Sequence, residues 1–431
     1  MTPCFRSVVS RCSNWSSLEL DEAVLSTNQS MLRSKKCVLI AHPGRQHSHQ
    51  AALALHRAGL LGCYATGVPI SRNQLSKPWT RLVRRFSVYD EVDIPLSQAR
   101  LNMVAPAVNR LFVRHLPELM IGPIRYETYR IFDRWVAGLL FRHRFDAVIA
   151  YENSAWHTFR AAKEAGVKCI LDAASLHHTD QDRFYTSGLP RRYKARVDRL
   201  KDAEITLADC IFVTSDFAFK SYVSNVDDKK NLRVIPLGAD VDHFKPSTDE
   251  DDNRKSPLNF IFIGSATAQK GFDDVLEAME KLLLEGFTFK LRVVGVIDQS
   301  LLAKRRRLRE GIVEFGMVGH DKLPSILRGS DCLLLPSRFD SFGMVVVEAM
   351  ACGVPVIVSD TVGAKQLVEE GGNGFIVPVG CSDTLVDRMR WFILNSDRLK
   401  GMSTAARATA EHVSWEKYRE RFTAAVREVL N

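Results

Sequence analysis

Twice along the chain, short apolar runs that read as buried strands alternate with longer segments that read as helices. This double alternation restricts the fold to parallel α/β architecture, because parallel strands need a long crossover, usually a helix, between them. The first series holds "KCVLIAH" (36–42), "LGCYATG" (61–67), "DAVIAY" (146–151), "KCILDAA" (168–174) and "CIFVTS" (210–215). Helical patterns lie between, among them "SHQAALALHRAG" (48–59) and "AWHTFRAAKEAG" (155–166), each closed by a glycine just past its end. The second series runs "LNFIFIGS" (258–265), "FKLRVVGV" (289–296), "CLLLPS" (332–337), "PVIVSD" (355–360) and "GFIVPV" (374–379), with a helix over 272–286. A chain of 431 residues is long for one core, so each series forms its own domain.

The predicted organisation follows. Residues 1–34, rich in Ser, Asn and Thr, are a poorly ordered lead-in, and 35–246 form an N-terminal Rossmann-like domain. Residues 247–257, polar and without apolar periodicity, are a linker to a C-terminal Rossmann-like domain over 258–412. The segment 413–431 is an amphipathic helix, N-capped by Ser414, that packs back toward the first domain. Two such halves face each other across a cleft between the carboxyl ends of their sheets, the usual place for a ligand.

Composition removes other classes. No apolar run approaches the roughly 18 residues of a membrane-spanning helix, and the N-terminus lacks the apolar core of a secretory signal. Nine cysteines are scattered without a C-x-x-C pair, several within apolar runs such as "SDCLLLP", which argues for a reducing, cytoplasmic setting and against structural zinc. The net charge of +9 and pI near 9.1 favour anionic partners. The basic clusters "RLVRRF" (81–86) and "KRRRLR" (304–309) read first as solvated helix faces. Peripheral docking of the first on an anionic membrane is the alternative. No zinc-finger or RNA-binding signature accompanies them, so nucleic acid is not an expected partner.

The chemistry concentrates in "SRFDSFGMVVVEAMACGVPVIVSD" (337–360). Pro336 ends one strand and "PVIVSD" is the next, which leaves room for a helix only over 342–352, despite three valines that would locally favour a strand. Ser341 is placed to cap that helix, with the amides of Phe342 and Gly343 exposed at its positive end. Asp340 precedes the helix and Glu348 lies roughly 12 Å further along its axis, at about 1.5 Å per residue. A phosphate on the amides, with a hydroxylated ring against each carboxylate, describes a nucleotide carrying something on its phosphates.

At this point the residues carry a family resemblance. Ser337, Phe342, Gly343, the run Glu348-Ala349-Met350-Ala351 and the run Gly353-Val354-Pro355-Val356-Ile357 resemble the signature of retaining GT-B glycosyltransferases of the family 4 type. Asp340-x7-Glu348 is similar to their Glu-x7-Glu motif, with Asp in the first place. The likeness extends through "FIGSATAQKGFDDVLEA" (262–278), "RVVG" (292–295), "VEFGMVGH" (313–320), "VIPLGADVDHFKP" (234–246), "GAKQLVEEGGNGFIV" (363–377) and "SWEKY" (414–418), and so covers the C-terminal half. The resemblance implies a nucleotide-diphosphate sugar as donor, bound by the C-terminal domain, and an acceptor of unspecified chemistry selected by the N-terminal domain. Glu348 would hold the donor ribose, Asp340 the donor sugar, and Lys270 the diphosphate. Gly264 and Ser265 would form the donor phosphate loop, where Ser265 occupies a position that often carries Arg and Arg338 compensates. No metal or other cofactor is implied, and the stretch 337–360 contains no Asp-x-Asp. In the N-terminal half, Gly44 would face the donor phosphates, and His177 or His178 of "DAASLHHTDQD" (172–182) would touch the sugar or accept a proton. A sugar-nucleotide epimerase of similar shape and a non-catalytic relative that keeps the donor site are the alternatives. A nicotinamide oxidoreductase is disfavoured, because no G-x-G-x-x-G follows a strand.

Overall fold

Aliphatic and β-branched runs supply the strands of two sheets, and each sheet is parallel throughout because every connection crosses over through helix or long loop. A computed structural model of the protein describes residues 36–71, 92–111, 118–184, 188–226, 231–247 and 257–431. The expected lead-in over 1–34, the basic run at 81–86 and nearly all of the expected linker lie outside the described residues.

The first sheet contains β1 (Val38–His42), β2 (Leu61–Thr66), β3 (Ala99–Leu101), β4 (Ala147–Tyr151), β5 (Lys168–Ala173), β6 (Cys210–Val213) and β7 (Leu232–Val234), in the order β3-β2-β1-β4-β5-β6-β7. Its helices are α1 (Ser48–Arg57), α2 (Val104–Leu111), α3 (Glu118–Leu140), α4 (Trp156–Glu164), α5 (His178–Phe184), α6 (Arg191–Leu207) and α7 (Asp216–Asn225). The second sheet contains β8 (Leu258–Ile263), β9 (Phe289–Val294), β10 (Ile312–Gly316), β11 (Cys332–Leu335), β12 (Val356–Ser359) and β13 (Gly374–Val377), in the order β10-β9-β8-β11-β12-β13. Around it lie α8 (Phe272–Leu284), α9 (Gln299–Ala303), α10 (Leu323–Arg328), α11 (Met344–Ala351), α12 (Ser382–Leu394) and α13 (Leu399–Glu411), and α14 (Trp415–Leu430) follows. Two Rossmann-like α/β domains result, as expected. Strand order reverses beside β1 and beside β8, and such switch points open a crevice at the carboxyl ends of the strands.

The strands that sequence reading did not mark, β3, β7 and β10, are short and lie at sheet edges. An edge strand buries little of its surface, so it needs no continuous apolar run; every residue of β10 retains some exposure.

Helix α14 packs on α1. Tyr418, Phe422 and Val426 are buried, Phe422 meets Phe212 of β6 edge-on at 5.5 Å, and Arg419 donates to Gln50 Oε1 at 2.7 Å. Full burial of side chains this size contributes about 1.5–3 kcal/mol each, which is what holds the helix there. Ser414 caps α14 by accepting the Lys417 amide at 3.3 Å. The same serine crosses the segment leaving the first domain, where the Ala239 and Val413–Trp415 backbones exchange hydrogen bonds of 3.1 and 3.0 Å. Gly238 makes the crossing possible, since a Cβ there would sit 2.4 Å from the Ser414 carbonyl.

Candidate active site

The loop between β11 and α11 differs from the sequence expectation in one respect. The helix begins at Met344 rather than 342, and Ser341 does not cap it. Gly343 takes φ of +89°, a left-handed conformation that L side chains rarely adopt, and turns the chain into the helix. The Ser341 carbonyl instead accepts the Ser215 hydroxyl of the first domain at 2.8 Å, and the Phe342 amide donates to Asp340 Oδ1 at 3.3 Å. The amides of Gly343, Met344 and Val345 therefore make the open end of α11, with no hydrogen-bond acceptor among the described residues.

Lys270 and Asp340 meet beside this end. Lys270 follows the loop that carries Gly264 and Ser265 after β8, and its Nζ lies 2.9 Å from Asp340 Oδ2. Ser265 is exposed, and Gly264 takes φ of +127°. Glu348, 8% exposed, points from the second turn of α11 to His320 Nε2 at 3.2 Å. His320 stacks on His243 at 5.7 Å and meets Phe244 edge-on. The Glu348 hydrogen bond raises the His320 pKa above its ordinary value. The guanidinium of Arg338 binds Asp273 and Asp274 in the first turn of α8, so it braces the loop. Two acids at a helix start also suit the local dipole and offer a bidentate partner, which explains the choice.

On the N-terminal side a cavity of about 350 Å³ opens at the carboxyl ends of β1, β4 and β5. His42, Gln46, Tyr151, Glu152, Asn153 and Asp172 contribute to its wall, and Ser341 reaches it from the other domain. Gly44 sits beside it in the turn after β1, its amide donating to His42 Nδ1 at 2.8 Å. Burial pushes His42 down to about 4, which keeps that nitrogen an acceptor. Asp172 is paired with His47 at 2.9 Å, and Glu152 with Lys201 at 2.9 Å.

His177 takes a different place from the one expected. The chain turns into α5 at His178, and the His177 ring, 5% exposed, packs on Tyr222 and His178 with Nε2 3.9 Å from Asp202. It is not part of the cavity wall. His178 binds Asp202 at 2.6 Å, so these three side chains bring potential ligand atoms within 4.8 Å of one another, the one such group among the described residues. His320, Gln46, Glu152, Asn153, Asp172 and Lys201 escaped the sequence reading. Most are polar residues just past the end of an apolar strand run, and that position was the available signal.

Comparison with known proteins decides what this geometry is similar to. Residues 245–409 match the family of glycosyl transferases group 1. That span contains Lys270, His320, Asp340 and Glu348, but of the N-terminal cavity's wall only Ser341. An uncharacterized 41.2 kDa protein in the cps region of Klebsiella pneumoniae is 28% identical over 186 residues, covering 42% of this chain and 51% of that protein. D-inositol 3-phosphate glycosyltransferase of Rhodococcus jostii is 28% identical over 205 residues, covering 44% of this chain and 45% of that protein. The chain thus spans about half the length of the curated relatives it matches. Among solved structures, sucrose-phosphate synthase from Thermosynechococcus elongatus aligns over 91% of this chain and 98% of its own, with TM-score 0.64 and 17% identity. Anabaena HepE, solved with UDP, aligns over 91% and 100%, with TM-score 0.64 and 14% identity. The fold is GT-B.

Proposed function

We propose that this chain is a glycosyltransferase that moves a sugar from a nucleoside diphosphate donor to a hydroxyl of an acceptor, with retention at the anomeric carbon and without a metal, in the manner of family 4. The observation that carries the proposal is the constellation at the start of α11: open amides, the Lys270–Asp340 ion pair beside them, and a buried Glu348 on the same helix. The group 1 match over these residues supports it, as does the nucleotide bound by a protein of the same fold.

The pair between Lys270 and Asp340 is the resting form of the site. Both side chains keep some exposure, 33% and 21%, and such a pair is worth only about 0–1 kcal/mol. An incoming diphosphate draws Lys270 away at little cost and takes the α11 amides. Asp340 is released toward hydroxyls of the transferred sugar. Glu348 accepts the ribose diol, with His320 beside it. As the bond to the anomeric carbon breaks, negative charge grows on the diphosphate, and the lysine and amides are already fixed where it appears. The acceptor hydroxyl approaches from the N-terminal cavity; its oxygen bonds to the anomeric carbon on the face the diphosphate leaves, and its proton passes to the departing diphosphate oxygen.

The experiment is a panel of nucleoside diphosphates and nucleotide sugars, followed by thermal unfolding. Stabilisation by one base, lost in Lys270→Ala and Glu348→Ala, supports the donor site. Anomer analysis of the product by NMR, with and without chelator, then tests retention and metal independence. A protein stabilised by none of the panel refutes the proposal.

A further inference from the structure

We infer that the N-terminal cavity takes an uncharged, polyhydroxylated ring of about the size of one monosaccharide, so that the acceptor presents a neutral sugar rather than a phosphorylated or lipid group. The identity of the acceptor rests on the glycosyltransferase reading, whereas the ligand class of the cavity follows from its own residues.

Size comes first: about 350 Å³ lies at the low end of the roughly 300–1,000 Å³ of ligand pockets. Charge comes second. The wall carries two carboxylates, Asp172 and Glu152, and each already has a cationic or imidazole partner, His47 and Lys201. Among the described residues Lys201 is the one lysine or arginine on the wall, and it is committed to Glu152. A phosphate placed here would meet two acids and, among the described residues, no unpaired cation, at a like-charge cost. Hydroxyls, by contrast, find carboxylate, amide and phenol acceptors on all sides.

Strain is the third observation. Among the described residues the non-glycine positions with positive φ are Gln46 (+34°) and Asn153 (+75°), and both lie on this wall. Backbone strain of this kind persists where the surroundings enforce it, and it gathers at ligand sites. At Asn153 the enforcing group is Glu204, fully buried, which accepts the Asn153 and Ala155 amides at 2.9 and 3.0 Å. The turn so held leaves Asn153 Oδ1 buried with no hydrogen-bond partner among the described residues. Unmade hydrogen bonds of buried groups are costly, and a ring hydroxyl would satisfy them.

The test is saturation-transfer NMR on the full chain with methyl hexosides, the corresponding hexose 6-phosphates and phosphatidylglycerol vesicles. Asn153→Gly and Glu152→Gln are compared with wild type. Asn153→Gly suits the φ of +75°, so it keeps the fold while removing the amide side chain. We expect methyl hexosides to bind, and to bind about tenfold more weakly in each variant, as for one hydrogen bond lost inside a cavity. Nucleoside diphosphate binding, followed in the same samples, is expected to stay unchanged. Preference for hexose phosphates or vesicles, no hexoside binding, or hexoside binding indifferent to both variants would overturn the inference. Loss of nucleotide binding in wild type with hexoside binding intact would instead overturn the donor assignment and leave this one standing.

Discussion

Phe339 sits between Arg338 and Asp340, yet its ring belongs to the other domain's core. The backbone here is held by the C-terminal domain: Arg338 donates to Gln269 at 2.9 Å, Asp340 to Thr361 at 3.2 Å, and the Asp340 carbonyl accepts Gly363 at 2.9 Å. The ring, 8% exposed, stacks on Phe184 at 5.6 Å and 18°, and packs obliquely on Phe217 at 6.4 Å. Replacing it by alanine deletes a buried aromatic, a change that costs about 3–5 kcal/mol in a core. Because the ring bridges two domains, most of this loss falls on the closed arrangement rather than on either fold. Other ties between the domains, among the described residues, include the Ser215–Ser341 bond, the Asp216 amide on Gln366 Oε1 at 2.9 Å, Lys365 over the Phe217 ring, and the contacts of Arg407 and His320 with residues 241–244. A loss of about 3 kcal/mol lowers the closed-to-open ratio by about two orders of magnitude. Small-angle scattering of Phe339→Ala should therefore show a larger radius of gyration, with the thermal midpoint little moved and turnover strongly reduced. An unchanged scattering profile together with a large drop in midpoint would show that the ring serves one domain's core, and the reasoning would fail.

Glu348→Gln should weaken nucleotide binding about 10–100-fold by titration calorimetry, since bonds to a charged acceptor are the strong ones; affinity near wild type would remove its ribose role. Lys270→Ala should lower kcat by about 10²–10³ while stability hardly changes, because the ion pair it leaves is weak. His320 is raised by Glu348, so the folded state holds its proton more tightly than the unfolded chain does. The pair's contribution is thus complete below the ordinary histidine value of 6.5 and fades as pH rises past it, and the stability difference between wild type and His320→Gln should shrink from pH 5.5 to about pH 8. Burial pushes Glu204 up from 4.5 to about 8, so the folded protein keeps a proton that the unfolded chain releases; stability should decline across that window, and urea titrations of Glu204→Gln should show a flatter pH slope.

The C-terminal half was the more legible because its chemistry is local. Asp340, Gly343 and Glu348 lie on one loop and one helix, so spacing along the chain is spacing in the site. Even there, α11 starts at Met344 rather than 342, because the Ser341 carbonyl serves Ser215, 126 residues earlier, a contact that spacing along the chain does not reveal. The partners of Arg338 are hidden for a similar reason: Asp273 and Asp274 are distant in sequence and lie on α8. The N-terminal cavity draws one or two residues from each of several strand ends, and its character depends on pairs such as Glu152–Lys201 that only the folded chain creates. His177 had the right residue type after a strand, and a turn of backbone sent its ring toward Tyr222.

The position of α14 has a consequence for how the protein is made. Its buried face covers α1, near the beginning of the first domain, yet it emerges from the ribosome only after the whole second domain. The first domain therefore cannot finish its own surface during synthesis, and the apolar side of α1 waits for a partner while the second sheet is assembled. A nascent chain stalled before Trp415 should expose that face to chaperones and proteases, and protection should appear only when the last helix is released.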